Sequence, residues 1–164
     1  MQIIVKIYGI LLSNKIALPK YIGVAFLIDI LPAIFLSSLV SVLINIFDSK
    51  HSPLQAHDLS WITFWLGVIF TPVAETFLLI FTLYILRGFN IQGFKLAIIA
   101  AIFWGTLHAT ESWSRFFAPA WIFFIYATAY ETWRLTSFRK AYFAAAIPHI
   151  LNNLVAFFAN GLGI

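Results

Sequence analysis

The chain contains no cysteine, which excludes disulfides, thiolate metal sites and a cysteine nucleophile. Charge is scarce as well. Only 10% of its 164 residues are Asp, Glu, Lys or Arg, where an ordinary soluble domain carries about a quarter. Clusters of Pro and Gly are sparse and no low-complexity segment or internal repeat is evident, so neither linker-joined domains nor the paired halves of an inverted-repeat transporter are expected. What fills the sequence is apolar: 62% hydrophobic residues, with 18 phenylalanines and six tryptophans. Apolar runs of about 20 residues, enough for a helix to cross a hydrocarbon layer of roughly 30 Å, recur from end to end. They predict an all-α fold, a polytopic transmembrane helix bundle, as a single integral-membrane domain over residues 1–164. The runs are continuous, whereas strands of a membrane barrel would alternate apolar and polar residues.

Five spans are expected, at 21–47, 59–86, 96–109, 116–133 and 141–163. The third is short, and is expected to tilt or to continue through "ATESW" (109–113) into a wetter end. Between spans the basic residues fall as Lys6, Lys15 and Lys20, then Lys50, then Arg87 and Lys95, then Arg115, then Arg134, Arg139 and Lys140. Alternate segments thus hold eight and two, which by the positive-inside rule puts the N-terminus in the cytoplasm and the C-terminus outside. The net charge of +4 is then a matter of topology, and no nucleic-acid partner is expected. The first span is about 27 residues long and lacks a small-residue cleavage pattern, so a cleaved signal peptide is not expected either.

Polar groups inside the spans are informative because each is costly in hydrocarbon and normally faces a partner or a cavity. They are Asp29, Glu75, His108, His149, Asn152, Asn153 and Asn160. Counted from the flanking basic residues at about 1.5 Å per residue, Glu75 lies roughly 18 Å deep, His108 and Asn153 roughly 20 Å, and His149 roughly 14 Å. Three helices therefore bring four groups to one layer. On the fifth span Ala145, His149, Asn152, Asn153, Ala156 and Asn160 share about 100° of arc, and Ile147, Ile150, Leu154, Phe157 and Phe158 lie opposite. On the third, Ala97, Ala101 and Gly105 repeat every fourth residue on the face of His108, the small-residue spacing that lets membrane helices approach closely. On the second, Thr71, Glu75 and Thr82 form a polar side. Pro72 and Pro148 precede the polar residues, and each removes an N–H from its helix, so both predict a kink and a wet pocket.

A carboxylate and two imidazoles can act as a general base on water, with an imidazole or amide N–H meeting the oxyanion that develops. The same Glu–His–His set has the donor chemistry to hold a divalent metal such as zinc. Spacing alone leaves both open. Asn152 and Asn160 read as packing and hydrogen-bonding residues, "ESWSRFFAPAW" (111–121) as an interfacial aromatic belt, Glu131 as an interfacial partner of Arg134, and His51, His57 and Glu111 as loop residues.

Three stretches, "PVAETFLL" (72–79), "FWGTLHA" (103–109) and "PHILNN" (148–153), resemble in order the motifs of the CPBP intramembrane proteases. That group contains the type II CAAX prenyl endopeptidases and bacteriocin-processing or immunity proteins. Its motifs run Glu-Glu-x-x-x-Arg, Phe-x-x-x-His and His-x-x-x-Asn or Asp. The third is complete as His149 and Asn153, and the second is met as Trp104 and His108. The first keeps Glu75, with Thr76 in place of the second glutamate and Ile80 in place of the arginine. The resemblance covers about residues 65–160. It implies an intramembrane peptidase in which Glu75 and His108 activate water and His149 and Asn153 form the oxyanion site. It further implies a peptide or protein substrate within the bilayer of a bacterial-type plasma membrane. Asp29, about 14 Å deep, is a candidate for the missing acid. Two other readings stand beside this one. A catalytically silent relative serving as an immunity or scaffold protein follows from Thr76 and Ile80, and a proton-coupled transport component follows from buried Glu and His.

Overall fold

The computed structural model describes residues 9–47, 60–110 and 112–162. Every regular element among them is helical. Five long helices occupy the five apolar segments: α1 (Leu18–Phe47), α2 (Trp61–Gly88), α3 (Gly93–His108), α4 (Phe117–Arg134) and α5 (Phe138–Leu162). Three of them, α1, α2 and α5, are long and apolar enough to cross a membrane. α3 is a shorter apolar helix. It stops at His108, where the chain turns, and a 3₁₀ turn at Trp113–Arg115 leads into α4. Ala109 and Thr110 are in that turn, so α3 does not run on into "ATESW", of which Glu111 lies outside the described residues.

α4 is the centre of the bundle. It packs against α1, α3 and α5, and burial extends almost all the way round it, over Phe123, Ile125, Tyr126, Ala127, Thr128, Ala129, Tyr130 and Trp133. A helix clothed by protein can carry hydroxyls that find partners on its neighbours, which is why the innermost helix holds several threonines and tyrosines. Its neighbours turn large apolar side chains outward instead, such as Leu31 and Phe35 on α1, Phe81 on α2 and Phe103 on α3. Such a surface would be an aggregation hazard in water and suits a lipid environment.

Contacts along α4 set the packing of the bundle. Tyr21 meets Trp133 edge to face, and Tyr126 reaches Asp29, so α1 and α4 run antiparallel. At the α3–α4 contact a Cβ added to Gly105 would stand 2.8 Å from the Ala120 Cβ and 3.1 Å from the Phe116 carbonyl oxygen. Ala97, Ala101 and Gly105 are all buried, so the small-residue face packs as its spacing predicts.

Pro32 lies inside α1 and deprives the Ile28 carbonyl of its usual donor. The Trp121 indole N–H takes that place at 3.0 Å. Trp121 is thus a packed cross-helix donor, unlike the expected belt residue, whereas Trp113 in the same stretch is exposed.

Between α2 and α3 the chain reverses in four residues, with Asn90 at φ 60° and Gly93 at φ 59°. Asn and Gly tolerate this left-handed backbone best. The reversal leaves Arg87 within reach of α4. There Glu131 accepts from the Arg134 Nε at 2.7 Å and forms a second ion pair with Arg87.

Candidate functional site

Glu75, His108 and His149 converge from α2, α3 and α5. The Glu75 Oε2 lies 3.3 Å from His149 Nε2, and its Oε1 lies 3.8 Å from His108 Nε2. One carboxylate therefore sits between two imidazoles, with a different oxygen turned to each. The site is graded in exposure. The His149 side chain is 4% exposed, Glu75 21% and His108 32%, so the site is closed behind His149 and reachable beside His108.

Each imidazole is held from behind. His108 Nδ1 lies 2.9 Å from the Trp104 carbonyl, one helical turn earlier. A carbonyl only accepts, so Nδ1 carries the proton and a neutral ring turns its bare Nε2 toward Glu75. His149 Nδ1 meets the Thr76 hydroxyl at 3.4 Å, and that hydroxyl donates to the Pro72 carbonyl at 2.7 Å. With its hydrogen spent on Pro72, Thr76 accepts from His149, so Nδ1 of this ring carries a proton as well. At 3.3 Å the His149 Nε2–Glu75 Oε2 contact becomes a hydrogen bond when one of the two atoms carries a further proton.

The floor of the site is aromatic. Phe123 stacks on Trp104, with centroids 4.5 Å apart at 10°, and its ring lies 5.4 Å from that of His108 and 5.5 Å from that of His149. Tyr126 packs its ring 4.7 Å from His149 and donates its hydroxyl to Asp29 Oδ2 at 2.8 Å. Asp29 is fully buried and its Oδ1 has no hydrogen-bond partner. It reaches the site through Tyr126, whose ring packs on His149, and so does not occupy the place of a second acid beside Glu75.

The four residues expected to form the site are not placed alike. Three meet at one carboxylate. Asn153 is one turn further along α5, and its amide donates to the Gly67 carbonyl of α2 at 2.9 Å. That carbonyl, one freed near Pro72, is thus satisfied by protein and not by the expected water.

The polar stripe of α5 is buried at Ala145, His149 and Asn152 and emerges into exposure by Ala156. The Asn160 side chain lies outside the described residues, as do His51 and His57. On α2 the buried face is Pro72, Thr76, Leu79 and Leu83. Glu75 stands at the margin of that face, and Thr71 and Thr82 do not join it.

Thr76, Phe123 and Tyr126 were not legible as site residues. Thr76 reads as a gap in a motif, though a threonine can hydrogen-bond back along its helix and still accept from a neighbour. Tyr126 did leave a signal, a hydroxyl at mid-depth in a span. Ile80 packs against the apolar core.

Two imidazoles and a carboxylate are the donor types of a zinc site. Among the described residues, however, no three His, Asp or Glu side chains are grouped so as to hold a metal. A separate apolar cleft of about 590 Å³, lined by residues that include Leu36, Phe94, Ala101 and Trp121, contains none of the site residues. No family model, no curated protein and no solved structure matches the chain.

Proposed function

We propose that the protein is an intramembrane peptidase of the CPBP type, in which Glu75 and His108 activate a water for attack on a peptide carbonyl. The observation that carries this reading is the placement of the Glu75 carboxylate between two imidazole Nε2 atoms whose Nδ1 positions are already engaged. The 3.8 Å gap between Glu75 Oε1 and His108 Nε2 is wider than a hydrogen bond and suits a water that donates to both. Glu75 takes one proton as the water oxygen bonds to the carbonyl carbon. His149, holding a proton on Nε2, faces the oxyanion, and Asn153 offers the amide N–H not spent on Gly67. The proton on Glu75 then passes to the departing amine as the C–N bond breaks, so that water and peptide yield an acid and an amine. Restricted exposure on the His149 side keeps bulk water away from the reacting atoms.

In this reading all five helices span the bilayer, with the N-terminus cytoplasmic, in a bacterial-type plasma membrane. Of the eight basic residues among those described, seven fall at the end of the bundle that holds the start of α1. Arg115 alone falls at the other end. α3 rises about 24 Å over its 16 residues, close to the hydrocarbon thickness. The substrate is a peptide or protein segment that enters beside His108, the most exposed member of the site.

Purified protein in liposomes, given a membrane-embedded peptide library, tests the reading. Glu75→Gln removes the base and leaves the shape, and is expected to lower the cleavage rate by about 10²–10⁴-fold. Cleavage equal to the parent's refutes it.

One observation favours a second reading, the catalytically silent relative. Thr76 and Ile80 are fully employed in holding His149 and in packing, so neither an acid nor an arginine accompanies Glu75 from those positions. Under it, the biological phenotype survives Glu75→Gln.

A further inference from the structure

α2 carries a break in its hydrogen-bond ladder about one turn before Glu75. Over Trp65–Phe70 the helix is π-wound, and the Thr71 N–H bonds the Leu66 carbonyl, five residues back. The next bond in that series would join position 72 to the Gly67 carbonyl. Position 72 is proline and has no N–H. The Gly67 carbonyl is therefore orphaned at membrane depth, where an unmet polar group is costly, and it is this atom that Asn153 Nδ2 reaches at 2.9 Å. Trp121 does the same for the carbonyl that Pro32 frees on α1. In both places a neighbouring helix supplies the donor that a proline withholds.

A π turn inserts one residue into a helix and so rotates the residues beyond it by about 100° relative to an unbroken α-helix. Downstream of this turn, Pro72 and Thr76 are buried, and Glu75 falls at the margin between His108 and His149. Asn153 follows His149 by four residues, on the same face of α5. One face of α5 thus holds both the carboxylate and the turn that aims it.

We propose that Asn153 is a positioning residue for Glu75. Its amide supplies to Gly67 the N–H that Pro72 removes, and so holds the π turn that sets the rotation of α2. The proposal rests on the reading of Glu75 as the base, and it deepens that reading by giving Asn153 a task separate from the oxyanion.

The test is a second-site rescue. Asn153→Ala removes the donor in trans, and Pro72→Ala restores one in cis. In the purified protein, hydrogen exchange of the amides in residues 65–71 is expected to speed up about tenfold or more in Asn153→Ala. In the double variant it is expected to return to within about threefold of the parent. Asn153→Leu, of similar size but with no donor, is expected to behave as Asn153→Ala and to be rescued by the same second change. Against a cleaved peptide, Asn153→Ala is expected to lower kcat more than it raises KM, with kcat rising again in the double variant. A residue that only fills space would not be rescued by an N–H on another helix. Unchanged exchange in both single Asn153 variants, or faster exchange that Pro72→Ala leaves in place, overturns the proposal. Should the parent cleave nothing, the peptidase reading fails, and the exchange measurements still decide whether Asn153 holds the turn.

Discussion

Tyr126→Phe is the substitution whose consequence the structure specifies most closely. The tyrosine hydroxyl donates to Asp29 Oδ2 at 2.8 Å, and Asp29 is fully buried with its other oxygen already lacking a partner. Removing the hydroxyl strands the whole carboxyl group. A buried polar group left unpaired costs about 1–3 kcal/mol. The phenyl ring that packs 4.7 Å from His149 is retained, so stability is expected to fall much further than the cleavage rate. Replacing both partners with apolar groups removes the mismatch. Asp29→Leu with Tyr126→Phe is therefore expected to be more stable than the sum of the single changes by about 1–3 kcal/mol. Reversible unfolding in mixed detergent micelles, followed by tryptophan fluorescence, measures all four corners of this cycle. A Tyr126→Phe protein within about 0.5 kcal/mol of the parent, or additivity across the cycle to the same margin, refutes the reasoning.

Two more substitutions probe the packing. Gly105→Ala improves helix propensity by about 1 kcal/mol, but its Cβ would lie 2.8 Å from the Ala120 Cβ and 3.1 Å from a backbone oxygen. Both are rigid, and overpacking costs about 1–3 kcal/mol. A net loss of stability is expected in the same unfolding assay, and a gain would show that α3 and α4 separate freely there. Glu131→Gln leaves Arg87 and Arg134 facing each other without their shared anion, with side chains 15% to 33% exposed. At this partial burial the expected loss is about 1–2 kcal/mol, between the values for surface and buried pairs. A loss that vanishes in 1 M salt would mark the pair as a screened surface contact.

The fold was largely legible because hydrocarbon imposes a simple rule. Backbone groups with no water to bond must satisfy one another, so each long apolar run becomes a helix, and α1 to α5 lie within a few residues of the predicted segments. Convergence of Glu75, His108 and His149 was legible for a related reason: charges and imidazoles far from the flanking lysines and arginines must find each other. The faces were read less well. On α2, Thr71, Glu75 and Thr82 mark one side, but the face that is buried is the adjacent one, Pro72, Thr76, Leu79 and Leu83. Thr71 and Thr82 stand outside it, the Thr82 hydroxyl bonding back to the Leu78 carbonyl at 2.9 Å, and Thr76 sits at its centre.

By itself, the sequence determined the solvent this chain suits, the number of its helices and the set of ionisable groups that have to meet inside it. Composition, run length and the depth of polar residues are properties that each helix carries alone. The tertiary structure decided which atoms meet. Thr76 rather than a second acid backs His149, Tyr126 takes up Asp29, and Asn153 and Trp121 serve carbonyls that prolines had left unbonded. Those pairings depend on the rotation and separation of neighbouring helices to within an ångström or two, and no periodicity along one helix encodes that.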